Sequence, residues 1–306
     1  MDPGFLFYYL QSQQRAIRDS ATDASHGTKK LETRVLEDWP FPMPELSEQY
    51  AIRDVLSAYD DLIENNRRRI QLLEQAAHLL YKEWFVVLRF PGHEHVTITD
   101  GVPAGWERTD LESSCLPKIG IQTGPFGSQL HQHDYVEDGH PVVMPKDIIG
   151  SHIRTSTIAR VPDGIRERLS RHVLQSGDIV LARRGDIGWK AFVTERESGW
   201  MCGTGCMRLR PNPDNVYPRY LFHTLGRPEV MGVIAGRAQG AIMPNLNLSI
   251  LANVPLTLPP LGLQRLFNEL DATTDRMAQL LNQQNDRLKF ARDLLLPRLM
   301  NAEIAV

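Results

Sequence analysis

Phe5-Leu6-Phe7-Tyr8-Tyr9-Leu10, near the start of the chain, returns as Tyr220-Leu221-Phe222-His223-Thr224-Leu225, displaced by 215 residues. In the same register Pro40 falls on Pro255, Pro44 on Pro259, Leu46 on Leu261, Gln49 on Gln264 and Asp60 on Asp275. Leu73 falls on Leu288, Ala76 on Ala291 and Leu79-Leu80 on Leu294-Leu295, with no gap along the way. A series of matches in one register marks an internal repeat, and a repeat settles the architecture before any single element does. Residues 1–90 and 216–306 read as two copies of one unit.

Each copy opens with an aromatic-rich helix and passes through a polar loop to a proline-rich segment, Pro40-Phe41-Pro42-Met43-Pro44 or Pro255-Leu256-Thr257-Leu258-Pro259-Pro260. Proline fixes φ and removes a donor, so this segment is a stiff entry into the helix that follows. That helix is long. In the first copy its seam reads Val55, Tyr59, Leu62, Asn66, Arg69, Leu73, Ala76, Leu80, in alternating steps of four and three. The second copy gives Leu270, Thr274, Met277, Leu281, Gln284, Leu288, Ala291, Leu295. Such spacing keeps one stripe against a partner helix, as in a coiled coil. Leu62, Leu73, Leu80, Met277, Leu288 and Leu295 are the expected pairing residues, and polar Asn66, Arg69 and Gln284 read as register devices. A helix of about 40 residues would be about 60 Å long, the length of a spacer.

Between the copies the texture changes. Short β-like runs appear at 141–144, 178–183, 189–194 and 206–210, and Arg184-Gly185-Asp186-Ile187-Gly188 reads as a hairpin connection. With the helical stretch 217–237 they make one α+β domain. Over residues 104–259 there are 17 basic against 15 acidic residues. The basic ones cluster at Arg166, Arg168 and Arg171, at Arg183, Arg184 and Lys190, and at Arg208 and Arg210. Gln122, Ser128, Gln129, His131, Gln132, Asn245 and Asn247 stand on loops and are of the types that read base edges or phosphates. The glycines of Gly120-Ile121-Gln122-Thr123-Gly124-Pro125-Phe126-Gly127 would let backbone come close to a ligand.

Composition sets the outer limits. The chain has 306 residues, 34 basic and 37 acidic, a net charge of −3, and 42% hydrophobic residues, which excludes a disordered chain. Three cysteines cannot form a closed disulfide framework and suit a reducing compartment. With no apolar stretch of spanning length and no cationic leader, the expectation is a cytoplasmic protein with no membrane partner. Catalytic signatures are missing: there is no Gly-Lys for a P-loop, no acid-x-Lys for a metal-dependent nuclease, and no Gly-x-Ser-x-Gly elbow. Cys202 and Cys206 with His131 and His133 could be imagined around zinc, but buried small cysteines fit the spacing better, so no metal site is expected. The residues by themselves describe a non-catalytic recognition domain on helical spacers.

Several stretches carry a family resemblance. Asp60-Asp61-Leu62-Ile63-Glu64-Asn65-Asn66-Arg67-Arg68-Arg69-Ile70, Leu79-Leu80-Tyr81-Lys82-Glu83-Trp84-Phe85 and Phe90-Pro91-Gly92-His93-Glu94 resemble the central region of type I restriction–modification specificity subunits. Pro103-Ala104-Gly105-Trp106-Glu107 resembles the start of a target recognition domain of that family, and Leu258-Pro259-Pro260-Leu261 with Gln264 resembles the junction into its second spacer. The resemblance implies an α+β target recognition domain, with a small twisted sheet plus helices, flanked by two long spacer helices in an antiparallel coiled coil. It implies a subunit without chemistry of its own, which binds double-stranded DNA and docks methyltransferase and restriction–translocase subunits. S-adenosylmethionine, ATP and Mg would then sit on those partners, and this chain would bind no cofactor. DNA contact is expected on 122–129 and 183–190, giving Gln122, Thr123, Ser128, Gln129, His131, Lys146, Arg183, Arg184, Lys190 and Asn245 as candidates.

The expected divisions are 1–45, the end of a first recognition domain; 46–90, the central spacer; 91–260, the second recognition domain; and 261–306, the C-terminal spacer. Most of the first recognition domain is not in this sequence. A start at an internal Met, a shortened gene whose chains pair as a homodimer, and a silent fragment all remain open. A helical interaction adaptor is the alternative of a different class.

Overall fold

The computed structural model describes residues 1–23, 29–183, 189–237 and 246–306. By packing, the chain divides into two compact units, Met1–Gln75 with Thr274–Val306, and Ala76–Thr273. The division falls inside both long helices rather than at their ends. The reason is aromatic: Tyr81, Trp84 and Phe85 from one helix and Phe267 from the other are buried in the core of the second unit.

The Ala76–Thr273 unit is α+β. Its four-stranded antiparallel sheet has the order Lys190–Phe192, Ile179–Ala182, Cys206–Leu209, Ile121–Thr123. A second sheet of three strands, Ala159–Val161, His140–Val143 and Met201–Cys202, contains one parallel pairing. Strand Ile179–Ala182 is buried on both faces, and its continuous apolar run matches that position. Val180 and Ala182 face Val143, Leu174, Ala191 and Cys202, while Ile179 and Leu181 face the aromatic core. In that core Tyr81 and Phe85 lie 5.2 Å apart and each stands 4.8–5.9 Å from the rings of Tyr220 and Phe267, and Tyr81 Oη pairs with Thr224 Oγ1 at 2.8 Å. Each such ring contributes about 1.5–3 kcal/mol through burial. Helices Pro218–Leu225 and Pro228–Arg237 close this side, and strand Pro255–Leu258 pairs with Glu107–Asp110 before the C-terminal helix begins.

The other unit is helical. Helix Pro3–Ser12 begins with Asp2 as its cap, whose Oδ1 accepts from Phe5 N, and with Pro3 in the first turn. Phe5, Tyr8 and Tyr9 pack on Ile52 and Leu56 of helix Leu46–Phe85 and on Leu296, Leu299 and Met300 of helix Leu261–Met300. Both long helices have 40 residues. Here they run antiparallel: Asp60 pairs with Arg292, Asn66 Nδ2 donates to Asn285 Oδ1 at 3.0 Å, and Ile70 packs with Ala278 and Leu281.

The seam differs from its sequence reading in one respect. The positions 59, 66, 73 and 80 were right for the stripe, but the alternating partners are Leu56, Ile63, Ile70 and Ala77, each one residue later than Val55, Leu62, Arg69 and Ala76. The second helix shows the same offset, with Asp271, Ala278 and Asn285 buried instead of Leu270, Met277 and Gln284. Leu62 and Met277 are 50% and 51% exposed and lie off the seam. Leu73 packs beside Ile70 and Leu281, Leu80 against the aromatic core, Leu295 against the Phe5 cluster, and Leu288 is half-buried. On the second helix apolar count favours the wrong stripe, because the true one buries Asp271 and Asn285, which are hydrogen-bonded; on the first helix the true stripe is the more apolar, with Ile70 in place of Arg69.

The repeat recurs in the hydrogen bonds. Gln49 Oε1 accepts from Asp2 N at 2.9 Å, and its Nε2 donates to Pro44 O at 2.7 Å. Gln264 Oε1 accepts from Tyr217 N at 2.9 Å, and its Nε2 donates to Pro259 O at 2.7 Å. All three residues of each clamp are displaced by 215. Burial is not repeated, however. Phe222, Leu225 and Leu258 are 8%, 0% and 8% exposed, whereas their counterparts Phe7, Leu10 and Met43 are 59%, 39% and 69% exposed. The counterpart of strand Pro255–Leu258, residues 40–43, is not a strand and pairs with no strand among the described residues.

Both glutamines are buried, so truncation leaves a backbone donor and acceptor unsatisfied at each clamp. Gln49→Ala and Gln264→Ala are each expected to cost about 1–3 kcal/mol, read as a lower denaturant midpoint at unchanged m. A midpoint that stays put in both variants would show that the clamps do not hold the helix entries.

Candidate nucleic-acid interface

The strands of the two sheets deliver their loops to one end of the Ala76–Thr273 unit. Ala182 pairs with Cys206 and Thr123 with Met207, so Arg183 and the loop after Thr123 meet the turn before Cys206. Cys202 pairs with Val143 in parallel, which brings the loop after Val143 to the same turn. The turn, residues 203–205, is the hub. A Cβ on Gly124 would stand 1.9 Å from Gly203 O, so these backbones touch and both positions need glycine. Thr204 Oγ1 donates to Pro125 O at 3.0 Å, Arg183 N to Gly205 O at 2.8 Å, and Gly205 rests on Pro145.

Candidates scattered from 122 to 190 in sequence are thereby gathered. Ser128 and His131 are exposed on the first loop, and the His131 ring stacks on His133 at 5.3 Å. Gln129 is half-buried, with Oε1 accepting from Phe126 N at 3.2 Å. Lys146 is exposed on the second loop, whose turn is held by buried Asp147 through Met144 N at 2.9 Å. Arg183 lies with its guanidinium 5.1 Å from the Phe126 ring centroid, and its Nε donates to Leu246 O at 2.6 Å. Arg184 and Asn245 lie outside the described residues. Two exposed side chains of this end escaped the sequence reading. Arg154 donates from Nη2 to Lys146 O at 3.0 Å, and Phe126 is 49% exposed. The signal for Phe126 was present as an aromatic residue inside Gly124-Pro125-Phe126-Gly127.

Other candidates turn inward. Thr123 is spent on strand pairing, and Gln122 Oε1 accepts from Arg208 Nη2 at 3.0 Å. Arg208 is 3% exposed and also donates to the carbonyls of Ile119 and Arg171. Arg210 forms a two-pronged pair with Asp178, both contacts at 2.7 Å, with side-chain exposures of 13% and 1%. The cluster of Arg208 and Arg210 is therefore structural: Arg208 Nη1 and Nη2 and Arg210 Nη2 and Nε meet interior acceptors, while Arg208 Nε is buried without one among the described residues. Lys190 lies over Phe222, its Nζ 3.8 Å from the ring centroid, against Gly226, where a Cβ would come within 2.9 Å of it. Burial pushes its ammonium down to about 8. Burial also pushes the Cys202 thiol up to about 12 and Cys206 well above its usual range. Among the described residues no group of three or more His, Cys, Asp or Glu could hold a metal ion, and no helix is long and apolar enough to cross a membrane.

The family profile described as type I restriction modification DNA specificity domain matches residues 2–75 and 146–289. The chain belongs to this family. The two matched segments take in most of both long helices and, from Lys146 on, part of the loop end, which supports a non-catalytic role in DNA sequence recognition. The specificity subunit of the type I restriction enzyme MjaVIII of Methanocaldococcus jannaschii is 22% identical over 314 residues, spanning 100% of this chain and 71% of the relative. The EcoBI specificity subunit of Escherichia coli is 22% identical over 319 residues, 98% of this chain and 65% of the relative. A crystal structure of a type I restriction–modification S subunit from M. genitalium shares the fold of this specificity domain, with a TM-score of 0.61 and 19% identity over 98% of this chain and 72% of that one.

Two outcomes separate structure from surface. Arg210→Ala strands the Asp178 carboxylate in the interior and is expected to cost about 3–5 kcal/mol, whereas Arg154→Ala should stay within about 0.5 kcal/mol. Chemical denaturation of the two variants measures this contrast, and equal costs would contradict it. For Lys190, the folded value near 8 lies below the ordinary 10.5, so between these pH values the unfolded chain holds more protons. Stability should rise from about pH 8 to about pH 10.5 on this account, and the Lys190→Met variant should lack that rise in melting temperature.

Proposed function

We propose that this chain is the DNA-reading subunit of a type I restriction–modification complex, which reads a half-site with the loop end of its Ala76–Thr273 unit. The observation that carries the reading is the convergence of three chain segments on the turn 203–205, bearing Lys146, Arg154 and Arg183 with His131 and Ser128. Cations of this kind hold phosphates and fix orientation, and the short polar side chains meet base edges. The net charge of −3 does not oppose this, since the phosphate contacts are local.

Docking of methyltransferase subunits is assigned to the helices. Exposed apolar residues recur there at the repeat displacement: Leu46 and Leu261, Leu62 and Met277, Leu79 and Leu294, each between 41% and 57% exposed. The two copies have diverged at most positions, so retained apolar exposure supports one type of partner meeting each copy. Restriction–translocase subunits would join that assembly, with S-adenosylmethionine, ATP and Mg bound by the partners. The bare face of Phe7, Leu10 and Met43 is the seat of a further recognition domain, since the matching face of the other copy lies beneath one.

DNA binding is tested with the chain and its methyltransferase partner by gel shift across a salt series. Lys146→Ala and Arg154→Ala should weaken binding to all sequences alike and each lower the slope of log K against log salt by about 1. A slope unchanged in both variants would remove the loop end from the interface. For docking, Leu62→Asp and Met277→Asp together should abolish co-purification of the methyltransferase at an unchanged melting temperature, and full recovery of the complex would refute the assignment.

A further inference from the structure

Phe126 is an exposed aromatic ring on the most firmly braced backbone of the loop end. Gly124 N donates to Cys206 O at 2.9 Å, and the Gly124 backbone rests on Gly203 O. Pro125 O accepts from Thr204, and Phe126 exchanges hydrogen bonds with Gln129 through its N at 3.2 Å and its O at 2.7 Å. Gln129 O in turn accepts from Arg168 Nη2 at 3.0 Å. The ring nevertheless remains 49% exposed, while Leu130 close behind it is 7% exposed. The chain thus spends hydrogen bonds at several points to fix an apolar group in water, where it contributes little to folding.

We propose that Phe126 is a specificity-determining residue, which reads the 5-methyl group of a thymine in the major groove. This rests on the DNA reading proposed above and names what it would recognise. An apolar side chain distinguishes thymine by contact with that methyl, which no other base presents in the groove. The guanidinium of Arg183 over the ring favours this mode over two others. Insertion between base pairs needs a ring free to enter the stack to full depth, and stacking on an unpaired base needs an open ring face. A ring with a cation over one face, on a short pinned turn, offers its edge and a single face, and cannot be sandwiched between two bases. Fixing that edge in advance removes the ordering cost that a mobile side chain would incur on binding.

The test uses the full chain with its methyltransferase partner and a random-sequence duplex library, from which the bound site is selected. Each thymine of that site is then replaced by deoxyuridine, which deletes only the methyl. One replacement should weaken binding by about fourfold, the equivalent of one buried carbon. Phe126→Ala should bind the natural duplex as weakly as the parent protein binds the replaced one, and be indifferent to the replacement. Phe126→Leu, which keeps an apolar contact, should retain part of the sensitivity, and melting temperatures of both variants report whether they fold. Replacements without effect on the parent protein, a selected site lacking thymine, or full sensitivity in a folded Phe126→Ala would each overturn the proposal and leave the DNA reading intact. A library that yields no selected sequence would overturn both.

Discussion

A long helix presents the right stripe to its packing partners only if it is entered at a fixed angle and phase. A single glutamine side chain imposes that constraint in each copy. Gln49 and Gln264 each tie the backbone just before the helix to the cap of the short aromatic helix that precedes it. The proline-rich segment cannot supply these bonds itself, because proline lacks an N–H. Within each unit the helix phase follows from this entry: in the first it sets which residues face the Phe5 cluster, and in the second how Phe267 enters the α+β core.

The seam also shows how polar groups can occupy a buried stripe. Asn66 reaches Gln284 and Asn285, and Asp271 is held by Arg219 and His223, with those partners keeping its carboxyl below the usual range against the opposing effect of burial. Such pairs add little net stability, but a one-residue slip would leave each group buried and unpaired. They set the phase of the helices more than the strength of their pairing.

The repeat, the long helices and the α+β insertion were legible because each rests on periodicity or spacing. The four main strands fall within a residue or two of their apolar runs, as Ile179–Ala182 and Cys206–Leu209 do. The phase of the seam was not legible on the second helix, since its deciding residues there, Asp271 and Asn285, are polar and satisfied by partners remote in sequence. The same limit applied to the basic residues. Arg154 and Arg210 are alike as letters, but one is exposed at a loop and the other is locked to Asp178. Only the tertiary position of a carboxylate distinguishes them. The gathering of the loops was likewise invisible, because it depends on Gly124 and Gly203 meeting backbone to backbone.

The bare face of Phe7, Leu10 and Met43 bears on the life of the protein in a cell. Adjoining apolar side chains left in water are what chaperones and proteases recognise, and they also attract other exposed surfaces. A chain with this face uncovered is exposed to both, while one whose face is covered escapes them. A copy whose face stays uncovered would therefore be cleared sooner than an assembled one, and its abundance would follow the supply of whatever covers it.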